Sequence, residues 1–337
     1  MNANLKIVVA CASIYSTLQI VAFLLKTNEV EDSFQYRLTL PTPRRNIYPA
    51  ERKLLKACRG GDTYGYTEYA FVSLISSVGG AAMRDLPFNV VSAAKLGVSL
   101  KRWTNLDAVM MLVGGRTLPF EQQHTLTHSG WIICYMDNLP DPYSILNVWS
   151  MVEYSVVAIV DSDTLVVRDP IPLFTQVYIK MANERLLVAG IRRTTWANEW
   201  GQCLPNGSGM FDTGVFVLAP NVDTFEALKG AIITLPHKRD LGGEGLLDAY
   251  FRGAISAMPF AFNADVLSLA CDPALWIAEH KQLAIIHYTT IKPWEYTLQP
   301  SQPSIILDRW PLWLWNVGFL YALWDSAPKS TMLVGGG

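Results

Sequence analysis

Cysteine is scarce in this chain, with 5 in 337 residues. No two of them form a CxxC pair, which argues against a structural zinc site. Charge of one sign is lacking as well. The net charge of −2 gives no argument for a nucleic-acid surface. No internal repeat and no low-complexity tract interrupts the chain, so a stacked-repeat architecture is excluded. Long apolar runs are confined to the N-terminal end. What is plentiful is hydrophobic mass: half of the residues are apolar, enough for one sizeable core or two modest ones. Tryptophan is frequent, at 11 residues. Indoles suit the faces of sugars, although any single one is more often core.

Residues 7–25 form the apolar run, behind a short N-terminus carrying Lys6. At about 1.5 Å per residue, a helix of this length comes close to the ~30 Å hydrocarbon core. Lys26, Glu29, Glu31 and Asp32 follow, so positive charge is weakly biased to the N-terminal side. The expectation is an uncleaved signal anchor over residues 1–26. It would make a single-pass type II protein of the Golgi or another secretory-pathway membrane, with the catalytic domain in the lumen. A cleaved signal peptide is the second reading and a buried core helix the third. Residues 27–66 are polar and irregular, with Pro41, Pro43 and Gly60-Gly61, and read as a stem. With Cys11 in the anchor, Cys58, Cys134, Cys203 and Cys271 are compatible with two disulfides, or with reduced core thiols. Asn206-Gly207-Ser208 is a glycosylation acceptor triplet.

From residue 67 the pattern changes. Strand-like runs at 70–74, 108–113 and 131–135 alternate with helix-like ones such as 90–100, and a helix is expected over 148–154. This alternation predicts an α/β domain with a mostly parallel mixed sheet flanked by helices, placed at residues 67–298. A Trp-rich extension, residues 299–337, closes the chain. It is too short to span a bilayer and reads as a packed helix or as an acceptor-side aromatic surface.

The chemistry gathers around Asp161-Ser162-Asp163. An apolar, β-branched run at 156–160 precedes it, and Thr164-Leu165-Val166-Val167 resumes the strand character. Carboxylates two apart on a strand point the same way, an arrangement that suits a hard cation such as Mn²⁺ or Mg²⁺. The plain alternative is a polar turn with solvated aspartates. His287 follows the apolar run 283–286 and can offer a ring nitrogen to the same ion, or be a hydrogen-bonded loop histidine. Lys292, stiffened by Pro293, can meet a diphosphate or be a solvated surface charge. Between them lie Asp212-Thr213-Gly214, opening into an apolar strand, and Gly242-Gly243-Glu244-Gly245, entering a helix.

With these motifs in this order, residues 69–296 resemble the glycogenin-like glycosyltransferases of family 8, with the spacing from His287 to Lys292 closer to the plant xylan glucuronyltransferase branch. The resemblance implies a GT-A type nucleotide-sugar-binding domain. Its donor would be a UDP-sugar bound through Mn²⁺, its acceptor a glycan or other hydroxyl, and its transfer would retain anomeric configuration. It implies Asp161, Asp163 and His287 as metal ligands and Lys292 as a diphosphate contact. Leu74, Ser76 and Ser77, at the end of the first strand, would cradle the uridine. Ser162, Thr213 and Gly214 would join the donor site. Glu244 and Asp212 would orient the donor sugar or the acceptor hydroxyl. Glu244 is expected to be ionised at a helix N-terminus and to stabilise positive charge at the anomeric carbon, or simply to cap the helix. The chain departs from the family pattern at four places. Ile145 stands for a basic residue, Asp212-Thr213-Gly214 for Asn-Ser-Gly, Gly243-Glu244-Gly245 for Asp-Gln-Gly, and Thr290 for a glycine. A non-catalytic nucleotide-sugar-binding or scaffold protein on the same fold is the alternative these departures raise.

Overall fold

The computed structural model describes residues 58–59, 67–76, 80–113, 118–136, 139–140, 142–197, 203–279 and 281–289. The apolar run 7–25, the stem through residue 57, Ser77, Thr290, Lys292 and the Trp-rich extension lie outside the described residues. Among the described residues, no helix is long and apolar enough to cross a membrane.

Strands β1 (Cys58–Arg59), β2 (Tyr69–Ser76), β3 (Asp107–Val113), β4 (Ile132–Tyr135) and β5 (Val156–Val160) make one half of the main sheet. Helices α1 (Gly80–Trp103) and α2 (Phe120–His128) cross over between β2, β3 and β4. Strand β6 (Thr164–Val166) leaves this sheet, and α3 (Tyr178–Asn183) follows it. Strands β7 (Val188–Ala197) and β8 (Cys203–Leu218) form a long antiparallel hairpin. After α4 (Val222–Thr234) and α5 (Gly242–Tyr250), β9 (Ile255–Ala257) completes the eight-stranded sheet, in the order β1-β4-β3-β2-β5-β8-β7-β9. Its centre, β4-β3-β2-β5, is parallel, while β1, β8 and β7 join by antiparallel pairs. The expected mixed sheet with a parallel core is present. Three short segments come last: β10 (Ala264–Asp265), helices α6 (Val266–Cys271) and α7 (Pro273–Glu279), and β11 (Ile285–His287). β10, β11 and β6 make a second, three-stranded sheet.

Side-chain alternation explains why the sheet is covered on both faces. Along β2, Phe71 and Ile75 join one apolar cluster with Leu96 and Leu100 of α1. Ala70 and Val72 join the other, with Trp149, Phe216, Leu228 and Leu246. A strand buried on both faces must read as a continuous apolar run, as β3 and β5 do.

The helix expected over 148–154 is instead a 3-10 segment at Ser144–Ser150. Trp149 dictates this, being fully buried and stacked between Phe216 and Phe251, each at 5.9 Å. It is core and offers no sugar platform. Cys134 and Cys271 are disulfide-bonded, and β1 sets Cys58 directly opposite Cys134.

The sheet also locates its own binding crevice. From β2 the chain runs outward through β3 and β4, then returns to place β5 on β2's other side. In open α/β sheets, ligands bind at the carboxyl ends of the strands where the order reverses. Here that point is the end of β2, with Leu74 and Ser76, beside the end of β5, with Asp161.

Candidate functional site

β5 ends at Val160, and the chain turns at once. The Asp161 carbonyl accepts bonds from the Thr164 N–H at 3.0 Å and from its hydroxyl at 2.7 Å. The two aspartates converge through this turn and not through the strand pleat that the sequence suggested. β6 then returns against β11 and sets Thr164 opposite His287, while β10 pairs Asp265 with His287 from the other side. The Tyr288 N–H donates to the Asp163 carbonyl at 3.0 Å. The small sheet therefore carries His287, the last residue of β11, to the acidic turn.

His287 is buried, and its Nε2 lies 3.3 Å from Asp163 Oδ1 and 3.8 Å from Asp161 Oδ2. One ligand atom from each of the three residues falls within 4.8 Å of the others. On the ring's far side, Nδ1 lies 3.0 Å from Asn263 Oδ1. An acceptor there keeps the proton on Nδ1 and aims Nε2 at the carboxylates, the way metal-binding histidines are usually oriented. Burial pulls the imidazole pKa down, but Asp163, followed by Asp212 and Asp161, outweighs it and pushes it up to about 9. Two carboxylates and an imidazole form a donor set that fits Mn²⁺ or Mg²⁺. Ser162 sits half-exposed in the same turn.

Gly214 explains how the ring comes so close. A Cβ there would stand 1.9 Å from His287 Cε1, so only glycine fits. Its carbonyl accepts the Asp161 N–H at 2.8 Å, joining β8 to the acidic turn. Between β7 and β8 the register jumps: Gly190 faces Phe216, but Ile191 faces Asp212. Thr213-Gly214-Val215 therefore bulges from the ladder, as happens where a strand must re-aim a side chain. Asp212, almost wholly buried, accepts the Gly214 N–H at 2.9 Å.

A second group of charges adjoins the first. Arg193 of β7 reaches Asp212 Oδ2 through Nε at 3.1 Å and Glu244 Oε1 through Nη2 at 2.5 Å. Burial would lower the Arg193 pKa, but Asp212, Glu244 and Asp265 together raise it. Burial raises Glu244 above the usual carboxylate range, and Arg193 opposes that rise. Glu244 is neither a helix cap nor a group facing open solvent. Its counter-charge is Arg193, where the sequence suggested the helix N-terminus alone. Next door, Arg192 pairs with Asp248 at 3.0 Å.

Two of the family departures meet each other. A Cβ on Gly243 would lie 2.5 Å from Ile145 Cγ2, so the isoleucine occupies the space any larger residue at 243 would need. Leu74 and Ser76 are half-buried at the end of β2. Thr213 is partly exposed in the bulge and Gly214 is buried. Sequence reading missed Arg193 and Asn263. The doublet Arg192-Arg193, entering directly from the apolar 186–191 stretch, was the available signal for the first, while Asn263 carried none.

No family model matches the chain. Mouse glycogenin-1 is 27% identical over 187 residues, covering 54% of this chain and 50% of that protein. Galactinol synthase 1 of Solanum lycopersicum is 26% identical over 171 residues, covering 46% of this chain and 49% of that protein. The chain spans about half the length of the curated relatives it matches. Among solved structures, the apo form of the bifunctional glycosyltransferase WbbM superposes with a TM-score of 0.50 at 14% identity, over 74% of this chain and 52% of that one. The fold is thus that of the GT-A glycosyltransferases. The sequence of the chain is similar to those of glycogenins and of a galactinol synthase.

Proposed function

We propose that this protein transfers a sugar from a UDP-sugar to a hydroxyl of a glycan or other acceptor, with Mn²⁺ or Mg²⁺ as cofactor and retention of anomeric configuration. One observation carries the reading: Asp161, Asp163 and His287 converge beside the crevice where β2 and β5 end. When bound there, the cation supplies positive charge to the departing diphosphate. The chain's own residues do the rest. Asn263 holds His287 in the tautomer that presents Nε2. Leu74, Ser76 and Ser77 receive the uridine, and Ser162, Thr213 and Gly214 border the phosphates. Lys292 adds a positive charge where negative charge develops. Asp212 and Glu244, braced by Arg193, are the acids that meet the donor sugar and the acceptor.

The site is read as lumenal, in a Golgi or other secretory membrane, with residues 7–25 as the anchor. The disulfides at Cys134 and Cys271 support an oxidising compartment. Resistance of the full chain to carbonate extraction tests the anchor.

Calorimetric titration of UDP with and without Mn²⁺, followed by UDP release from a panel of UDP-sugars, tests the activity. Binding that requires the metal, with release from one sugar donor, is the expected result. Binding without release would leave a nucleotide-sugar-binding scaffold, and no metal-dependent binding would sink the assignment.

A further inference from the structure

The geometry points to a donor pocket made for an uncharged sugar and hostile to a hexuronate, with Arg193, Glu244 and the Ile145–Gly243 contact as the residues that set this preference. This rests on the nucleotide-sugar reading above. A sugar attached to a diphosphate at the metal triad lies against the groups that adjoin His287. Those groups are Asp212 and Glu244, each close enough to His287 for their charges to interact.

A hexuronate would bring its own carboxylate into this place and would need a cation to receive it. Arg193 is the described cation beside the pocket, and it is already engaged on two sides, by Asp212 at Nε and by Glu244 at Nη2. Asp265 adds a further attraction to it. Arg192, one residue away, is held by Asp248 and by the Gly209 carbonyl, each at 3.0 Å. Arg193 cannot turn to a ligand carboxylate without leaving Asp212 or Glu244 unpaired, which is costly in a partly buried setting.

Ile145 packs directly over Gly243, next to Glu244, and offers no donor for an anion. A carboxylate placed beside Asp212, Glu244 and Asp265 meets their repulsion, and the Ile145–Gly243 contact supplies no donor to offset it. An uncharged sugar meets the opposite situation. Its hydroxyls can donate to the oxygens of Asp212 and Glu244, and Arg193 fixes both side chains in place.

Calorimetry on the full chain with Mn²⁺ tests this, using UDP, UDP-glucose, UDP-galactose and UDP-glucuronate. The tightest neutral donor is expected to bind at least about tenfold more strongly than UDP-glucuronate, the scale on which like-charge contacts discriminate ligands. Glu244→Gln frees one side of Arg193, and Ile145→Lys adds a cation beside Gly243. Each folded variant is expected to lower the neutral-to-uronate affinity ratio about fivefold or more. UDP-glucuronate binding as tightly as the best neutral donor overturns the inference. So does an unchanged ratio in whichever variants fold. UDP that fails to bind with Mn²⁺ removes the nucleotide-sugar reading and this inference together. UDP that binds, with the uronate matching the hexoses, removes this inference alone.

Discussion

The acids at the two ends of this site are handled in different ways. Asp161 and Asp163 sit on a turn with His287 as their near neighbour, and Asp161 keeps 42% of its side chain exposed. Asp212 sits deeper, Glu244 is about as exposed as Asp163, and the protein supplies the cation for both itself through Arg193. In the proposed function the first pair takes a cation from outside, while the second is neutralised from within. Elsewhere, Glu153 shows a third solution. It is buried, its Oε2 makes no hydrogen bond, and burial pushes its pKa up to about 7. A carboxylate in a fold meets a ligand cation, meets a protein cation, or takes up a proton. Which of these happens separates functional acids from structural ones.

Breaking the internal pair should have the largest effect. Arg193→Ala strands Asp212 and Glu244 without a counter-charge, and is expected to cost about 3 kcal/mol of stability, read by denaturant unfolding. A cost near zero would mean that the arginine does not brace these acids. Breaking the external pair should leave stability nearly intact while affinity collapses. Asp163→Ala is expected to weaken Mn²⁺-dependent UDP binding about 100-fold or more, with the melting temperature changed little. Unchanged UDP affinity would refute the metal assignment.

The proton-taking acid sharpens the contrast through pH. Glu153 has a folded pKa of about 7, above its unfolded value of 4.5. The folded state therefore binds more protons across that window. The stability this group provides is complete below the unfolded value and is lost as pH rises through the folded one, by about 2–3 kcal/mol in all. Glu153→Gln should flatten the fall in stability between pH 5 and 8, and an unaltered slope would place the titration elsewhere. The smallest effect is expected at Asn263, which touches the ring and not the ligand. Asn263→Ala should weaken Mn²⁺ affinity about tenfold, as loss of a partner behind a ligand usually does. No change would show that His287 is oriented by Gly214 and the strand pairing alone.

The parts of this arrangement that could be read in advance share a property: each is local. The apolar run at 156–160 announced β5 because a strand buried on both faces must be apolar throughout. Asp161 and Asp163 could be paired on paper because they are two residues apart, although a turn and not a pleat makes them converge. The segment before β5 reads locally as a helix over 148–154 but forms a 3-10 segment, because the stacking of Trp149 between Phe216 and Phe251 depends on residues far along the chain. Arg193 went unnoticed for the same reason. An arginine on a strand is ordinarily surface charge, and nothing near it in sequence reveals Asp212 or Glu244.

The sequence by itself determined the alternation of elements, the parallel core of the sheet, the acidic pair and the order of motifs that carries the resemblance to the glycogenin-like enzymes. These follow from periodicity and from residue chemistry over a few neighbouring positions. Only the tertiary structure decided that His287 reaches Asp163 through the β6–β11 pairing, that Gly214 admits its ring, that Ile145 fills the space above Gly243, and that Arg193 joins Asp212 to Glu244. Those facts depend on close contacts between segments distant in the chain. Burial and charge balance are set by what packs against a residue, and its sequence neighbours do not reveal that.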